Sequence, residues 1–331
     1  MNNNTKSILG IDISKHKFDA SLRISARRLR QAFANTPAGF VALRQWLDQA
    51  GVSQLHAGLE STSRYGLALA RFLHEQAFTV SILNPLALHH YARSRLQRSK
   101  HDKLEAELIV EYIAKETPPA WSPPSPAQSQ LQELSRLLQA RKLQLGQERN
   151  RLESLPQSRA ARSAIQRFIR LLEKEILKLE SQLLTSLSAE AQMLADWKLL
   201  LTIPGIGELT AAIILAELPS YLQSARAAAA YSGLTPARYQ SGLRDTTTGL
   251  SPLGNRALRR ALYFPALTAV RYNGPIAAKA QRLRTKDKPE KCILGAAMHQ
   301  LVRQAWGVLK HKRPFDPNWK PPELIPPAVT T

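Results

Sequence analysis

Apolar and polar positions follow three different rhythms along this chain. Up to about residue 117, strand-like and helix-like runs alternate. ILGIDIS (8–14), KFDASLRI (17–24) and RQAFANT (30–36) are short and rich in β-branched or aromatic residues, and they predict three successive strands. Phe40, Leu43 and Trp46 recur at helical spacing and predict a helix from Pro37 to Ala50. QLHAGLE (54–60) and FTVSILNP (78–85) predict two further strands on either side of a helix-like YGLALARFLHEQA (65–77). KHDKLEAELIVEYIAKE (100–116) predicts a late helix. The resulting order, β-β-β-α-β-α-β-α, implies a mixed sheet covered by helices.

The rhythm then changes. TPPAWSPPSPAQ (117–128) holds five prolines, excludes regular helix or central strand, and predicts a stiff linker and domain boundary. Beyond it Leu131, Leu134, Leu138, Leu145, Leu152 and Leu155 approximate a heptad seam. After a break near Pro156, Ile169, Leu172, Ile176, Leu179 and Leu183 continue one. Two helices in a hairpin, or pairing between protomers, satisfy both seams. Residues 197 to about 313 read as helical and basic, with glycine and proline at the loops. IPGIG (203–207) directly precedes a helix-like run, as in helix-hairpin-helix modules, where such a turn aims backbone N–H groups at a phosphate. Gly205 and Gly207 are the candidates for that contact; the alternative is an ordinary tight turn between core helices. The tail PNWKPPELIPPAVTT carries too much proline to fold by itself.

Charge narrows the partners. Lys plus Arg number 46 against 25 Asp plus Glu, a net +21. So large an excess in a globular protein points to a polyanion, nucleic acid first and an anionic membrane surface second. No apolar stretch approaches the ~20 residues that span a bilayer, and MNNNTKS does not read as a secretion signal. The single cysteine, Cys292, excludes an internal disulfide and fits a reducing cytoplasm; its apolar context KCILGAAMH predicts a packed core residue. RISARRLR (23–30), ARSRLQRSK (92–100) and RTKDKPEK (284–291) are basic runs. The second leads straight into an acidic pair, so Arg93, Arg95, Arg98 and Lys100 are placed to deliver a phosphate backbone to it.

Four acids carry the chemistry. Asp12 lies within the apolar first strand, and Glu60 ends the fourth. Asp102 and Glu105 open the late helix three residues apart, on one face. Acids at the ends of apolar strands are costly to bury unless something positive sits among them, and clustered carboxylate oxygens suit Mg²⁺. Asp102 also suits a helix cap and Glu105 a lysine partner, while Glu107 and Glu111 read as ordinary helix acids. The β-α order with acids at strand ends and on a late helix is that of the ribonuclease H type of fold. A second candidate is Ser241 in LTPARYQSGLRDTTTG (234–249). By itself a serine before glycine in a polar loop is a turn residue, but Arg238 and Arg244 flank it and can hold a phosphate beside the hydroxyl. No His or Cys set has metal-ligand spacing, and no nucleotide-cradling glycine loop is present, which argues against ATP use.

Taken in order, GIDISK with Asp12, FANTPAGF (33–40), GLESTSRY with Glu60, LNP (83–85) and KHDKLEA with Asp102 and Glu105 form a series. IPGIG, SGLTPARYQSG (232–242) and LRRALYFPA (258–266), with Arg259 and Arg260, extend it. The series resembles the insertion-sequence transposases of the one-ten family, relatives of the Piv DNA invertases, described as bridge-RNA-guided recombinases.

The resemblance implies an α/β plus α architecture. A RuvC-like domain with a four-acid set spans 1–117 and a linker 118–128. A coiled-coil helical hairpin (129–196), a mainly helical serine transposase domain (197–313) and a Pro-rich tail (314–331) follow. It maps the nucleophile to Ser241 and the Mg²⁺ ligands, with Mn²⁺ as an alternative ion, to Asp12, Glu60, Asp102 and Glu105. The implied partners are donor and target DNA, a structured non-coding guide RNA and further copies of the chain, as dimer or tetramer, with no membrane. The place of action is the bacterial cytoplasm, at the nucleoid. Glu105 stands where the family usually has Asp, and Ser63 where it generally has glycine. The extra methylene of Glu105 can move a ligand oxygen by roughly an ångström. Rival readings are a metal-dependent junction nuclease or transposase that uses water, and a catalytically impaired nucleic-acid-binding relative.

Overall fold

In the computed structural model, which describes residues 7–60, 64–94, 102–154, 158–241, 244–250 and 254–318, the first strand-like run forms β1 (Ser7–Ile13). It is followed by β2 (Lys17–Ile24), β3 (Arg27–Ala34), α1 (Pro37–Gln49), β4 (Leu55–Glu60), α2 (Leu67–Glu75), β5 (Thr79–Leu83), α3 (Pro85–Ser94) and α4 (Asp102–Glu116). The five strands form one sheet in the order β3-β2-β1-β4-β5. β1 runs antiparallel to β2 and parallel to β4, and β5 is parallel to β4. This is the mixed sheet the alternation predicts.

Strand alternation sends each side chain to one of two helical layers. Phe18 and Phe33 stack at 5.4 Å, and Phe18 meets Phe40 of α1, which in turn meets Phe72 of α2. That face belongs to α1 and α2. α1 starts where Thr36 caps it, its hydroxyl accepting from Gly39 N at 3.3 Å, with Pro37 in the first turn where its missing N–H costs nothing. The opposite face belongs to α4, whose Ile109, Val110 and Ile113 cluster with Ile8, Leu83 and Leu88. Each of these side chains contributes roughly 1.5–3 kcal/mol on full burial.

β3 begins at Arg27 rather than Arg30, because it pairs with β2 along its whole length, from Ile24↔Arg27 to Lys17↔Ala34. Much of the basic run RISARRLR is therefore strand, and Arg28 and Arg30 both pair with Glu107 of α4. Arg28 also stands 4.0 Å from Glu111. These two acids fasten α4 across the sheet, a structural use.

The chain divides into two compact units, Met1–Pro123 and Pro124–Thr331. The second opens with α5 (Pro126–Ser154) and α6 (Arg159–Ser186). The proline-rich linker is shorter than its composition implies: Pro126 is the first residue of α5, a position proline tolerates, and Ser125 Oγ caps the helix by accepting from Gln128 N at 3.1 Å. Lys142 pairs with Glu180 and Arg149 with Glu173, so seven residues forward on α5 match seven back on α6. The two helices are an antiparallel hairpin.

α7 (Ala191–Leu201), α8 (Glu208–Glu217), α9 (Ala225–Tyr231), strands β6 (Pro236–Ser241) and β7 (Arg244–Leu250), then α10 (Arg256–Ala261), α11 (Tyr263–Tyr272), α12 (Gly274–Arg284) and α13 (Glu290–His311) complete the unit. Leu131 and Leu138 of α5 and Ile176, Leu179 and Leu183 of α6 share a core with Met193, Ala212, Ile213 and Ala216 of α7 and α8. The hairpin is thus part of the C-terminal unit rather than a free spacer. Cys292, expected in the core, is exposed: the buried positions of α13 nearest to it are Ile293, Gly295, Ala297 and Met298, and Cys292 falls on the outer face. Among the described residues no helix is long and apolar enough to cross a membrane.

Candidate active site

The sheet itself brings two of the four acids together. β1 and β4 are in parallel register, ending at Ile11↔Leu59, and one further step sets Asp12 beside Glu60. Neighbouring strands lie about 4.8 Å apart, and residues in register share a face. That face is α4's: a Cβ on Gly10 would sit 2.0 Å from Ala106 O, and one on Gly58 2.4 Å from Ile113 Cδ1 and 3.1 Å from Ile109 Cγ2. At Gly10 the helix backbone lies directly on the strand, and at Gly58 the isoleucine side chains of α4 do.

Packing also fixes the helix direction. Ile8 clusters with Val110 and Ile113, while Gly10 faces Ala106, so α4 runs antiparallel to β1. Two residues along a strand advance about 6.6 Å, and four along a helix about 6 Å. The step from Gly10 to Asp12 and from Gly58 to Glu60 therefore matches the step from Ala106 back to Asp102 and from Ile109 back to Glu105. Asp12, Glu60 and Glu105 are half-buried at this edge. Asp102 is the first residue of α4, and its side chain lies outside the described part of the structure.

A further acid joins the row. Asp19 of β2 is the register partner of Asp12, on the same face, and accepts from Lys17 Nζ at 3.1 Å. Its side chain is only 18 % exposed. Sequence reading missed it; the signal was the alternation in KFDASLRI, which turns Phe18 to one layer and Asp19 to the other. Asp19, Asp12 and Glu60 thus lie across three adjacent strands, and like charges directly opposite each other repel. Among the described residues no three carboxylate, histidine or cysteine side chains close around one point as a finished metal cage would. Mg²⁺ does not require one: it takes one or two carboxylates and fills its shell with water and substrate phosphates. An oxygen-only donor set fits that ion.

The serine lies on a hairpin, not in an irregular loop. Ser241 ends β6 and pairs in register with Arg244, the first residue of β7, and Arg238 pairs with Thr247. The side chains of Arg238, Ser241 and Arg244 lie outside the described part. The base of the hairpin is closely packed. Gly254, at φ +114°, comes so close to Gly233 N and Tyr231 O that a Cβ there would lie 2.3 and 2.7 Å away. Asn255 N donates to Tyr231 O at 2.6 Å, and Asn255 Oδ1 caps α10 by accepting from Leu258 N at 3.0 Å. Its Nδ2 donates to Glu217 Oε2 at 2.7 Å. Glu217 is fully buried and takes a two-pronged contact from Arg136 of α5, at 2.8 and 3.0 Å. Burial raises the Tyr231 hydroxyl above the usual tyrosine range, and Asn255 donating to it opposes that shift. This network was not legible in the sequence, because its members lie far apart in the chain.

The remaining nucleic-acid candidates separate. Arg93 is exposed near the end of α3, while Arg95, Arg98 and Lys100 lie outside the described residues. Gly205, at φ +104°, faces α11, where a Cβ would meet Pro265 O at 2.8 Å and Ala269 Cβ at 2.9 Å. Its glycine is a packing requirement. Gly207 is open, with nothing within 4 Å of a Cβ, but the helix it precedes already carries Glu208 in its first turn. An anion at that end would meet a carboxylate. Arg260 is exposed, whereas Arg259 is half-buried and donates to Gly233 O at 3.3 Å, bracing the hairpin's base.

Comparison with known proteins adds three findings. Residues 9–157 match a family described as transposase, and residues 197–281 match the transposase IS116/IS110/IS902 family. The pilin gene-inverting proteins of Moraxella lacunata and Moraxella bovis are each 35% identical over 320 residues, 94% of this chain and 98% of theirs. The transposase for insertion sequence element IS1328 of Yersinia enterocolitica is 33% identical over 115 residues, 33% of this chain and 34% of its own length. Among solved structures, T. thermophilus RuvC in complex with Holliday junction substrate is similar over 34% of this chain and 96% of its own, at 9% identity and TM-score 0.26.

Proposed function

The chain belongs to the IS110 family of transposases and is a DNA transposase or recombinase, and from that premise we propose a serine-based strand exchange guided by RNA. The observation that carries the reading is the acidic edge: the β1–β4 register and the antiparallel crossing of α4 direct Asp12, Glu60 and Glu105 to one end of one sheet face, with Asp102 at the head of the same helix.

Asp12, Glu60, Asp102 and Glu105 would hold Mg²⁺ or Mn²⁺, which when bound stabilises negative charge on a phosphate and on its leaving oxygen. Ser241 supplies the nucleophile. Its Oγ forms a bond to phosphorus as the bond from phosphorus to the 3′ oxygen breaks. The hydroxyl proton passes to water, and the 3′ oxygen takes up a proton. Attack by another strand's 3′ hydroxyl on the phosphoserine reverses these steps and rejoins DNA without ATP. Arg238 and Arg244, on the two strands of the serine hairpin, position the phosphate.

The net charge of +21 supports a polyanionic partner. In this reading the partners are donor and target DNA and a structured guide RNA, and the working form is a dimer or tetramer in the bacterial cytoplasm. One protomer's acids would complete another's serine site. The test is Ser241→Ala with labelled donor DNA: covalent protein–DNA adducts, resolved on denaturing gels, should vanish. Adducts that persist would show that the serine is not the nucleophile and favour a water-using enzyme.

A further inference from the structure

The LRRALYFPA segment presents aromatic rings to solvent. On α11, Phe264 is 74 % and Tyr272 72 % exposed, with Tyr263 and Leu267 each at 46 %. Tyr263 and Phe264 stand edge to face, 5.3 Å apart. A cavity of about 520 Å³ opens alongside, lined by Tyr263, Leu267, Arg271 and Tyr272 of α11 and by Lys291 and Leu294 of α13. Contiguous exposed aromatics mark a contact surface, since isolated folding favours covering them.

The charge around them identifies the occupant. Between Arg256 and Lys291 the sequence carries ten basic residues against Asp287 and Glu290. Arg284 and Glu290 neutralise each other at 2.8 Å. Arg271 and Lys291 are the other basic residues that line the cavity. A second copy of this face would bring like charges together. An anionic polymer relieves them, and flat apolar rings suit the faces of bases that are not already stacked in a duplex.

We propose that the α11 face, with Tyr263, Phe264 and Tyr272 as stacking platforms and Arg260, Arg271 and Lys291 as phosphate contacts, binds an unpaired segment of nucleic acid. This rests on the nucleic-acid-handling function proposed above and adds to it a site for single strands. It requires neither the serine nor the acids.

The probe is a fluorescein-labelled oligothymidine of about 16 nucleotides, compared with a blunt duplex of equal length by anisotropy across a salt series. Phe264→Ala and Tyr272→Ala should each weaken the single strand about tenfold, leave the duplex unchanged, and leave the salt slope unchanged because no cation is lost. Phe264→Tyr should restore binding. Arg260→Ala should instead lower the salt slope by about one and weaken both ligands. Because the rings are largely exposed, melting temperatures should match wild type. Unchanged single-strand affinity in both alanine variants, or equal loss on single strand and duplex, overturns the proposal. A shift of Phe264→Ala to a smaller species in ultracentrifugation with affinity intact would reassign the face to a protein contact. Failure of the wild type to bind either ligand would count against the wider functional reading.

Discussion

Gly10→Ala tests whether the crossing of α4 over the sheet sets the acidic edge. A Cβ at this position would lie 2.0 Å from Ala106 O and 2.9 Å from Val110 N, both backbone atoms in the middle of a helix. No rotamer change relieves the clash. Ordinary contact begins near 3.4 Å, so α4 must lift by more than an ångström. Overpacking of this kind costs roughly 1–3 kcal/mol, which leaves the unit folded but less stable. The same movement carries Asp102 and Glu105 away from Asp12 and Glu60, and an ångström of misplacement at a reacting centre costs about 10²-fold in rate. Cleavage of donor DNA in Mg²⁺ should therefore fall by about two orders of magnitude at a temperature where circular dichroism shows the variant folded. Gly146→Ala is the control: Gly146 is exposed in α5 with nothing within 4 Å of a Cβ, so it should gain roughly 0.5–1 kcal/mol and cleave normally. A folded Gly10→Ala protein that cleaves within about threefold of wild type would refute the idea that helix seating positions the acids.

The C-terminal unit offers two more tests. Arg136→Ala strands the Glu217 carboxylate in the core and should cost roughly 3–5 kcal/mol. Glu217→Gln leaves an arginine that is 41% exposed and can turn to water, so roughly 1–3 kcal/mol is expected. Urea denaturation that reverses this order would show that Glu217 is not held by the guanidinium. His299 is held below its ordinary value of 6.5 by burial, then by Lys279 and Arg303. Between its lowered value and 6.5 the unfolded chain binds a proton that the folded chain refuses, so stability should fall as pH drops through that window. His299→Gln should flatten that acid limb of the melting temperature, and an unchanged limb would assign the pH dependence elsewhere.

The N-terminal unit was legible because its signals are local. Alternation in ILGIDIS, KFDASLRI and QLHAGLE assigns strands, and strand ends place Asp12 and Glu60, without knowledge of any distant residue. Asp19 was equally local but its neighbour's register was not, and only the pairing with Asp12 gives it meaning. Cys292 was misread because a run of apolar letters does not say which helix face is outward. The hairpin β6–β7 escaped because PARYQS and RDTTTGL are polar on both faces and carry no apolar alternation. Glu217 escaped for another reason: its partners Arg136 and Asn255 come from α5 and the start of α10, and contacts of that separation leave no periodic trace.

The two halves of the proposed chemistry are held by different physics. Asp12 and Glu60 are carried by central strands of a sheet covered on both faces, so their backbone moves only if the core moves. Ser241 is carried by the far end of a two-stranded ribbon, and such a ribbon is marginal alone in water. Its order must come from its base. There a glycine–glycine approach admits no side chain, Arg259 braces Gly233 O, and Asn255 joins the helix cap to a buried carboxylate clamped by Arg136. Arg136 belongs to the long α5–α6 hairpin, which shares a core with α7 and α8. The base of the serine ribbon is therefore joined, through Glu217 and Arg136, to the α5–α6 hairpin. In the reading proposed above, Ser241 is thus anchored through the base of its ribbon to the α5–α6 hairpin, whereas Asp12 and Glu60 are held by the sheet.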